Sequence, residues 1–435
     1  MVRAKMLVDR AIDENLIGVD RPLFVVGAGA GGVTAALYSA FRGVKTTIIE
    51  LRDHAFALQR KCLTRWIDPT QYDWPASHWI QGIFPWVPPA MPLPWRAFPS
   101  NLIAATWTQE LRSAIKKYPG LLQVKFKTKV VSATIRQPQQ DLEVRYEEET
   151  VPGTFLPAVG FYGAAIFAKG HGTEKATIGS YKSFDFWDTD NFEQPNLGLP
   201  VRSAPHRYNV LICGGGDGAL QDFLRITTGK GSASDIMHRI WSFIPLDLVL
   251  SLFTEEDQAH RAGIWNTKGQ NHPVLERLDQ SHRQYAQQLL RPPSGPAIIA
   301  ELQSLLLHAE SLNVTLIHPC THFSQSYPLN RFLVYLVSEY ARAASLPITI
   351  KQQTSASSVR GISHTCSKPS SCHGQEHEVY FDSAPACDTM MPTSPYYAGR
   401  YEAIVLRAGV APPVPFNALR NPLFARHSLP YHAPA

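Results

Sequence analysis

Cysteine is scarce: the chain has six in 435 residues. Cys62, Cys213, Cys320, Cys366, Cys372 and Cys387 are too scattered for a disulfide framework, and no Cys-x-x-Cys pair occurs. Dithiol redox chemistry by the chain's own sulfurs therefore has no support. Charge is thin as well, at 18% of residues and a net of +5, and no run of Lys or Arg marks a nucleic-acid surface. No stretch approaches 18 uninterrupted apolar residues, so no membrane span is expected. The first 20 residues hold Asp9, Asp13 and Glu14 and lack the apolar core of a secretory signal. A reduced, cytoplasmic protein is the expectation. With 44% hydrophobic residues, the length suffices for two domains with proper cores.

What the chain does have is a glycine turn set between a strand and a helix. Leu23 to Val26 is a short apolar run that reads as a buried strand. Gly27, Gly29 and Gly32 follow at G-x-G-x-x-G spacing, with Ala28, Ala30 and Gly31 between them. Val33, Ala36, Leu37, Ala40 and Phe41 then recur at helical spacing. In such a turn the first glycine bends the chain and the second leaves room for a pyrophosphate. The third lets the helix pack on the strand. The helix N-terminus offers free N–H groups and a positive dipole end to the phosphates. A second apolar strand, from Lys45 to Ile49, ends in Glu50, where an acid accepts the ribose hydroxyls of an adenosine. An acid there repels a 2′-phosphate and favours FAD or NAD over NADP. Leu51, Arg52 and Arg60 follow closely enough to be included in this candidate cofactor site.

Around this unit the chain reads as follows. Residues 1–20 suggest a leading helix. Residues 60–107 hold Trp66, Trp74, Trp79, Trp86, Trp95 and Trp107, and prolines dense enough to forbid a long helix before Asn101. A long loop so rich in aromatics either lines a ligand cleft or packs and makes contacts. Within it Arg60, Arg65, Tyr72 and Trp74 are candidates to approach a cofactor ring. Leu102 to Lys117 reads as a helix, and Val124 to Ile135 with Leu142 to Tyr146 as a hairpin. An apolar strand then runs into Ala168-Lys169-Gly170, with His171 next as a group that could touch a phosphate or substrate.

The opening pattern recurs at Tyr208 to Cys213. Gly214, Gly216 and Ala219 follow at G-x-G-x-x-A spacing, with Gly215, Asp217 and Gly218 between them. This reads as a second phosphate-binding turn, with Asp217 capping the helix that follows. Ile236 to Ile240 reads as the next strand, and it closes on Trp241 and Ser242 instead of an acid. Arg239 is the nearby cation that could meet a 2′-phosphate. Residues 243–312 read as a helical insertion. Val314 to Ile317 returns to strand, Leu329 to Ala343 is an amphipathic helix, and strands follow at 348–352, 359–362 and 379–381. Tyr401 onward is an apolar strand ending at Gly409. His364, Cys366, Cys372, His373 and His377 crowd one polar loop, but their spacing matches no standard zinc site, and a solvated hairpin loop is the expectation.

Two glycine turns 187 positions apart (27 and 214), each answered later by an apolar strand ending in glycine, form a known layout. It resembles the two-dinucleotide-binding-domain flavoproteins, the class that includes thioredoxin reductases and flavin-dependent N-hydroxylating monooxygenases. The first turn resembles their FAD fingerprint, and Ala168-Lys169-Gly170 their Ala-Thr-Gly return strand. Gly214 to Ala219 is similar to the NADPH-domain turn of thioredoxin reductase, and Arg407 to Pro413 resembles the second return strand. The resemblance implies an α/β fold of two Rossmann-like domains with parallel sheets, here with a helical insertion in the second. The domains are expected at 1–205 and 206–415, with a tail at 416–435. It also implies FAD at the first turn and NAD(P)H at the second, with Gly170 and Gly409 beside them. Two features depart from the class: the missing Cys-x-x-Cys, and the absence of a late Gly-Asp box for the ribityl-phosphate side of a flavin.

The expected function is a flavin-dependent NAD(P)H oxidoreductase, with monooxygenase chemistry as one branch, acting on a small-molecule substrate. A single-site enzyme with tightly bound NAD is the alternative, and the missing Gly-Asp box favours it. A non-enzymatic nucleotide-sensing scaffold is the third reading, with the aromatic loop and helical insertion as surfaces for a protein partner or a second copy.

Overall fold

The structure is a computed structural model that describes residues 1–76, 79, 91–137, 141–170, 172, 174–179, 181–199, 207–261, 273–323, 326–362, 376–383 and 395–409. These fall into two compact units. Met1–Leu63 and Pro85–Thr173 belong to the first, Thr64–Phe84 and Glu174–Ala411 to the second.

In the first unit, four parallel strands lie in the order Leu122–Lys125, Thr46–Ile49, Leu23–Val26, Ala164–Phe167. The two central strands are buried at every position, as a parallel sheet covered on both faces requires. The helix Ala30–Phe41 connects them, and its small residues Ala35, Ala36 and Ala40 allow close approach to the sheet. A three-stranded antiparallel meander follows: Thr128–Arg136, Asp141–Val151 and Thr154–Tyr162. The strand expected over Val124 to Ile135 is thus two strands, Leu122–Lys125 in the parallel sheet and Thr128–Arg136 in the meander, and the hairpin gains a third strand. That strand carries Pro157 and Gly160, which argue against a strand in sequence but are tolerated at a sheet edge, where it lies.

The second unit repeats this plan. Its parallel sheet runs Ile348–Lys351, Leu312–Ile317, Tyr208–Cys213, Ala403–Leu406. Its meander is Thr354–Ile362, Glu376–Ser383 and Tyr396–Tyr401. The last strand escapes the sequence reading because Gly399, at φ +141°, and a register shift at Val379/Tyr380 break its alternation. The expected strand at 236–240 is a helix, Ala233–Ile240. Ser232 caps it by accepting from the Ser234 N–H, and Ile236, Met237 and Ile240 are buried on one face. Helices continue through Leu246–Arg261, Pro273–Leu289 and Gly295–Leu305 before the second strand at Leu312. The chain is therefore α/β with two Rossmann-like units and a helical insertion, as expected.

The division at 205 does not mark the boundary, because Glu174 onward packs with the second unit. So does Thr64–Phe84, and this settles what its aromatic residues do. Trp74 is wholly buried and stacks on Phe332 at 4.9 Å between centroids. Trp79 is buried against Trp241 and donates from its indole to the Thr70 carbonyl. Tyr72 meets Tyr327 edge-on at 4.5 Å. In the first unit, Trp107 is buried against Phe56. Trp74, Trp79 and Trp107 are core and not the lining of a cleft, whereas Tyr72 is half-buried and Trp66 is 39% exposed. Trp86 lies outside the described residues.

A buried ion network pins the 64–84 segment. Arg65 donates from Nη1 to Asp222 at 2.7 Å and from Nε to the Phe186 carbonyl, and its guanidinium lies 3.6 Å over the Phe186 ring. Arg407 reaches the other Asp222 oxygen at 2.8 Å. Arg225 holds Asp190 through two N–H groups and Glu193 through a third. Burial opposes ionisation of Asp222, but Arg65 and Arg407 outweigh it and hold the carboxyl below its usual range. Asp222→Ala removes the carboxylate that Arg65 and Arg407 share, leaving them the longer pairs to Asp190 at 3.4 Å and Glu174 at 3.9 Å, and is expected to cost about 3–5 kcal/mol. Urea unfolding at neutral pH measures this, and a loss under about 1 kcal/mol, the value of a surface pair, would contradict it.

Candidate dinucleotide sites

At the first turn the glycines divide into two kinds. Gly27 has φ +99°, and a Cβ there would stand 2.4 Å from the Ala168 carbonyl oxygen. A Cβ on Gly32 would stand 1.9 Å from the Gly27 oxygen. Packing of the protein on itself demands both. Gly29 and Gly31 differ, since a Cβ on either would meet nothing within 4 Å. Gly29 is the N-cap of the helix, in extended conformation, and no side chain caps that end. The N–H groups of this end are thus left without a side-chain cap, beside two glycines with open space around them. Gly170, at φ +77°, is also open, and His171 lies outside the described residues.

Glu50 stands beside this cradle. One carboxylate oxygen accepts from the Ala28 N–H at 2.7 Å and the other from the Arg52 N–H at 3.0 Å. A carboxylate offers about four lone-pair sites, so each oxygen keeps one for a ribose hydroxyl. Leu51 is 67% exposed beside it, and Arg52 is exposed. Arg60 lies exposed on the short helix Ala57–Lys61, which leaves the turn through a bond from the Phe56 N–H to the Ala28 oxygen. Glu50, Ala28 and Arg52 are thus brought together by direct bonds, and no bond links the Arg60 side chain to them among the described residues.

Three backbone bonds define the frame, and all three recur in the second unit. Gly27 N–H donates to Ile49, Glu50 N–H to Lys125, and Thr128 N–H to the Glu50 oxygen. Gly214 N–H donates to Ile317, His318 N–H to Lys351, and Thr354 N–H to the His318 oxygen. His318 therefore occupies the place of Glu50, and sequence reasoning missed it. The signal was the residue after the true second strand, hidden by the helices before Leu312.

The second turn has its own packing glycine. A Cβ on Gly214, at φ +141°, would stand 2.2 Å from the Arg407 oxygen, and the methyl of the buried Ala219 lies 3.2 Å from the same point. Gly216 is the open, extended N-cap. Gly215 faces the His318 ring, and Gly218 faces Phe186 and Arg407. Gly409, at φ +86°, is open, and its oxygen accepts from Lys175. Two sequence expectations are corrected. Asp217 does not cap its own helix. Its carboxylate accepts from the Tyr327 N–H at 2.6 Å and from the Asn330 amide at 3.0 Å, and so secures the start of the helix Pro328–Ala343. Arg239 is engaged by Glu301 and Ser304 on the outside of the helical insertion, so it reads no nucleotide. Of the crowded His/Cys loop only His377 is described; it lies edge-on to Tyr181, and no metal-holding cluster occurs among the described residues.

No family model matches the chain. Among solved structures, it is similar to a thioredoxin reductase from Lactococcus lactis at 11% identity and TM-score 0.40, covering 91% of this chain and 80% of that one. A bacillithiol disulfide reductase from Bacillus cereus aligns at 10% identity and TM-score 0.41, covering 89% and 78%. The FAD-bound cadaverine monooxygenase of desferrioxamine biosynthesis from Erwinia amylovora aligns at 10% identity and TM-score 0.37, covering 92% and 81%.

Asp217 gives the site a pH signature. Burial pushes its carboxyl up from 3.8 to about 7, against the pull of the Tyr327 N–H, Asn330 and Arg331. The folded chain thus binds a proton more tightly than the unfolded one. The charged form then costs stability as pH rises from about 4 to about 7, and the cost stays level above that. Asp217→Asn keeps the accepting oxygen and removes the charge. It is expected to raise the urea midpoint at about pH 8 and leave it unchanged at about pH 4. Equal shifts at both would contradict this account.

Proposed function

We propose that the chain is a flavoprotein oxidoreductase that holds FAD at the first turn and receives electrons from NAD(P)H at the second. One observation carries the reading. The first turn uses Gly27 and Gly32 for its own packing, yet keeps Gly29 and Gly31 side-chain-free before an uncapped helix end, beside a carboxylate with spare acceptor sites. Nothing in the protein's own packing calls for those two glycines. A dinucleotide pyrophosphate does.

In this reading the N–H groups at the start of Ala30–Phe41 hold the pyrophosphate and Glu50 accepts the adenosine ribose hydroxyls. The acid excludes a 2′-phosphate. FAD, when bound, supplies two-electron redox chemistry, and the chain's residues orient and shield it. Cys213 takes no part: it is buried at the end of its strand, and burial pushes its thiol up to about 12, so it stays protonated and unreactive. The alternative of one tightly bound NAD draws support from Phe186 and Arg407, which lie against Gly218 and narrow the second turn.

Purified protein is expected to show a flavin absorption band that NAD(P)H bleaches. Gly29→Val is expected to lose the band while remaining folded, because the new side chain meets only the space of the pyrophosphate. Glu50→Ala is expected to weaken retention by roughly 1.5–3 kcal/mol, the range for hydrogen bonds to a charged group. Gly216→Val is expected to keep the band and lose its bleaching. Colourless protein carrying stoichiometric NAD would favour the single-site alternative.

A further inference from the structure

Two buried side chains beside the second turn have nitrogens without hydrogen-bond partners among the described residues: both ring nitrogens of His318, and Nη2 of Arg407. His318 is wholly buried, and the Arg407 side chain is 4% exposed. An unpaired buried polar group costs about 1–3 kcal/mol, so such groups mark places where a partner is missing. Both press on the glycine turn. His318 ring atoms lie 3.2 Å from where a Gly215 Cβ would stand, and Arg407 Cδ lies 3.5 Å from the same point on Gly218. Between these glycines Gly216 is open and caps the helix Asp217–Thr228 without a side-chain bond.

We infer that the second turn takes the dinucleotide lacking a 2′-phosphate, NADH and not NADPH, with His318 hydrogen-bonding the adenosine ribose and Arg407 Nη2 the pyrophosphate. The inference rests on the two-cofactor reading above and names the nucleotide of its second site. Position supports it first: the three repeated backbone bonds put His318 in the place that Glu50 holds at the first turn. Chemistry supports it next. Burial, with His322 nearby, pushes the His318 pKa down to about 3, so the ring is neutral across the physiological range. One nitrogen then donates and the other accepts, which suits hydroxyls that do both. A 2′-phosphate instead needs cations. Residues 319–323 are Pro, Cys, Thr, His and Phe, and supply neither Lys nor Arg; the cation on the neighbouring strand end, Lys351, lies over the Phe381 ring at 5.3 Å. The charge of Arg407 is already offset by Asp222 at 2.8 Å, so Nη2 acts as an oriented donor. Gly215 and Phe323 cover the imidazole, the latter at 4.2 Å between centroids, so the inferred bond requires the Gly215 backbone to move off the ring.

The experiment is equilibrium dialysis of the purified full-length protein against NADH and, separately, NADPH, with the flavin band recorded on the same sample. NADH is expected to bind at least about tenfold more tightly, the worth of roughly one good hydrogen bond. His318→Gln, which keeps a donor and an acceptor, is expected to retain most of that preference. His318→Leu is expected to lose about tenfold in NADH affinity, and His318→Arg to shift the preference toward NADPH. Tighter or equal binding of NADPH by the unaltered protein, or no binding of either nucleotide, overturns the inference. Because dialysis does not depend on flavin, the outcomes separate. A flavin band without NADH preference sinks this inference alone, and NADH preference without a flavin band sinks the function proposed above.

Discussion

The carbonyl of Ala168 occupies the space that a side chain on Gly27 would need, and the carbonyl of Arg407 does the same at Gly214. This crowding of backbone on backbone is the constraint on which both units are built. It seats the return strand against the first strand at the bend, and in the first unit it lets the helix start within contact of the bend through Gly32. The parallel register then follows. Leu23 to Val26 pairs with Thr46 to Ile49 on one side and with Ala164 to Phe167 on the other, which fixes Glu50 at the mouth of the turn.

How much of this was legible in the sequence depended on distance along the chain. The first turn was readable because glycine spacing encodes its sterics locally and the strand that ends in Glu50 comes next. The second site was only half readable. Cys213 pairs with Ile317 across a run of helices, and Ile236, Met237 and Ile240 offer a nearer apolar run that reads as a strand. A short apolar run does not declare whether it is helix or strand, and here helical packing won. The role of Asp217 was hidden for a related reason: its partners, Tyr327 and Asn330, lie more than a hundred positions away. The tryptophans of the aromatic segment were visible as unusual, but composition does not say which core a ring enters.

The two turns share a frame and differ in chemistry. The first presents an anionic acceptor, Glu50, and a small return residue, Ala168. The second presents a neutral imidazole, His318, and a long cationic return residue, Arg407, whose charge Asp222 balances. The same backbone geometry has thus been furnished with different side chains. At the second turn the Arg407 side chain lies against Gly218, in the first turn of the helix.

Arg65 and Asp222, joined in the ion network, are 157 residues apart in the chain. Thr64–Phe84 leaves the first unit's sequence early, yet its packing partners follow Glu174. On the ribosome this segment emerges well before anything it can pack on exists. Trp74, Trp79 and a guanidinium destined for burial must then wait in water, while the rest of the first unit's chain is still being added. At a synthesis rate of about 5–20 residues per second, the wait lasts roughly ten to thirty seconds. The second unit is thus committed to late, non-local closure around side chains that end deeply buried.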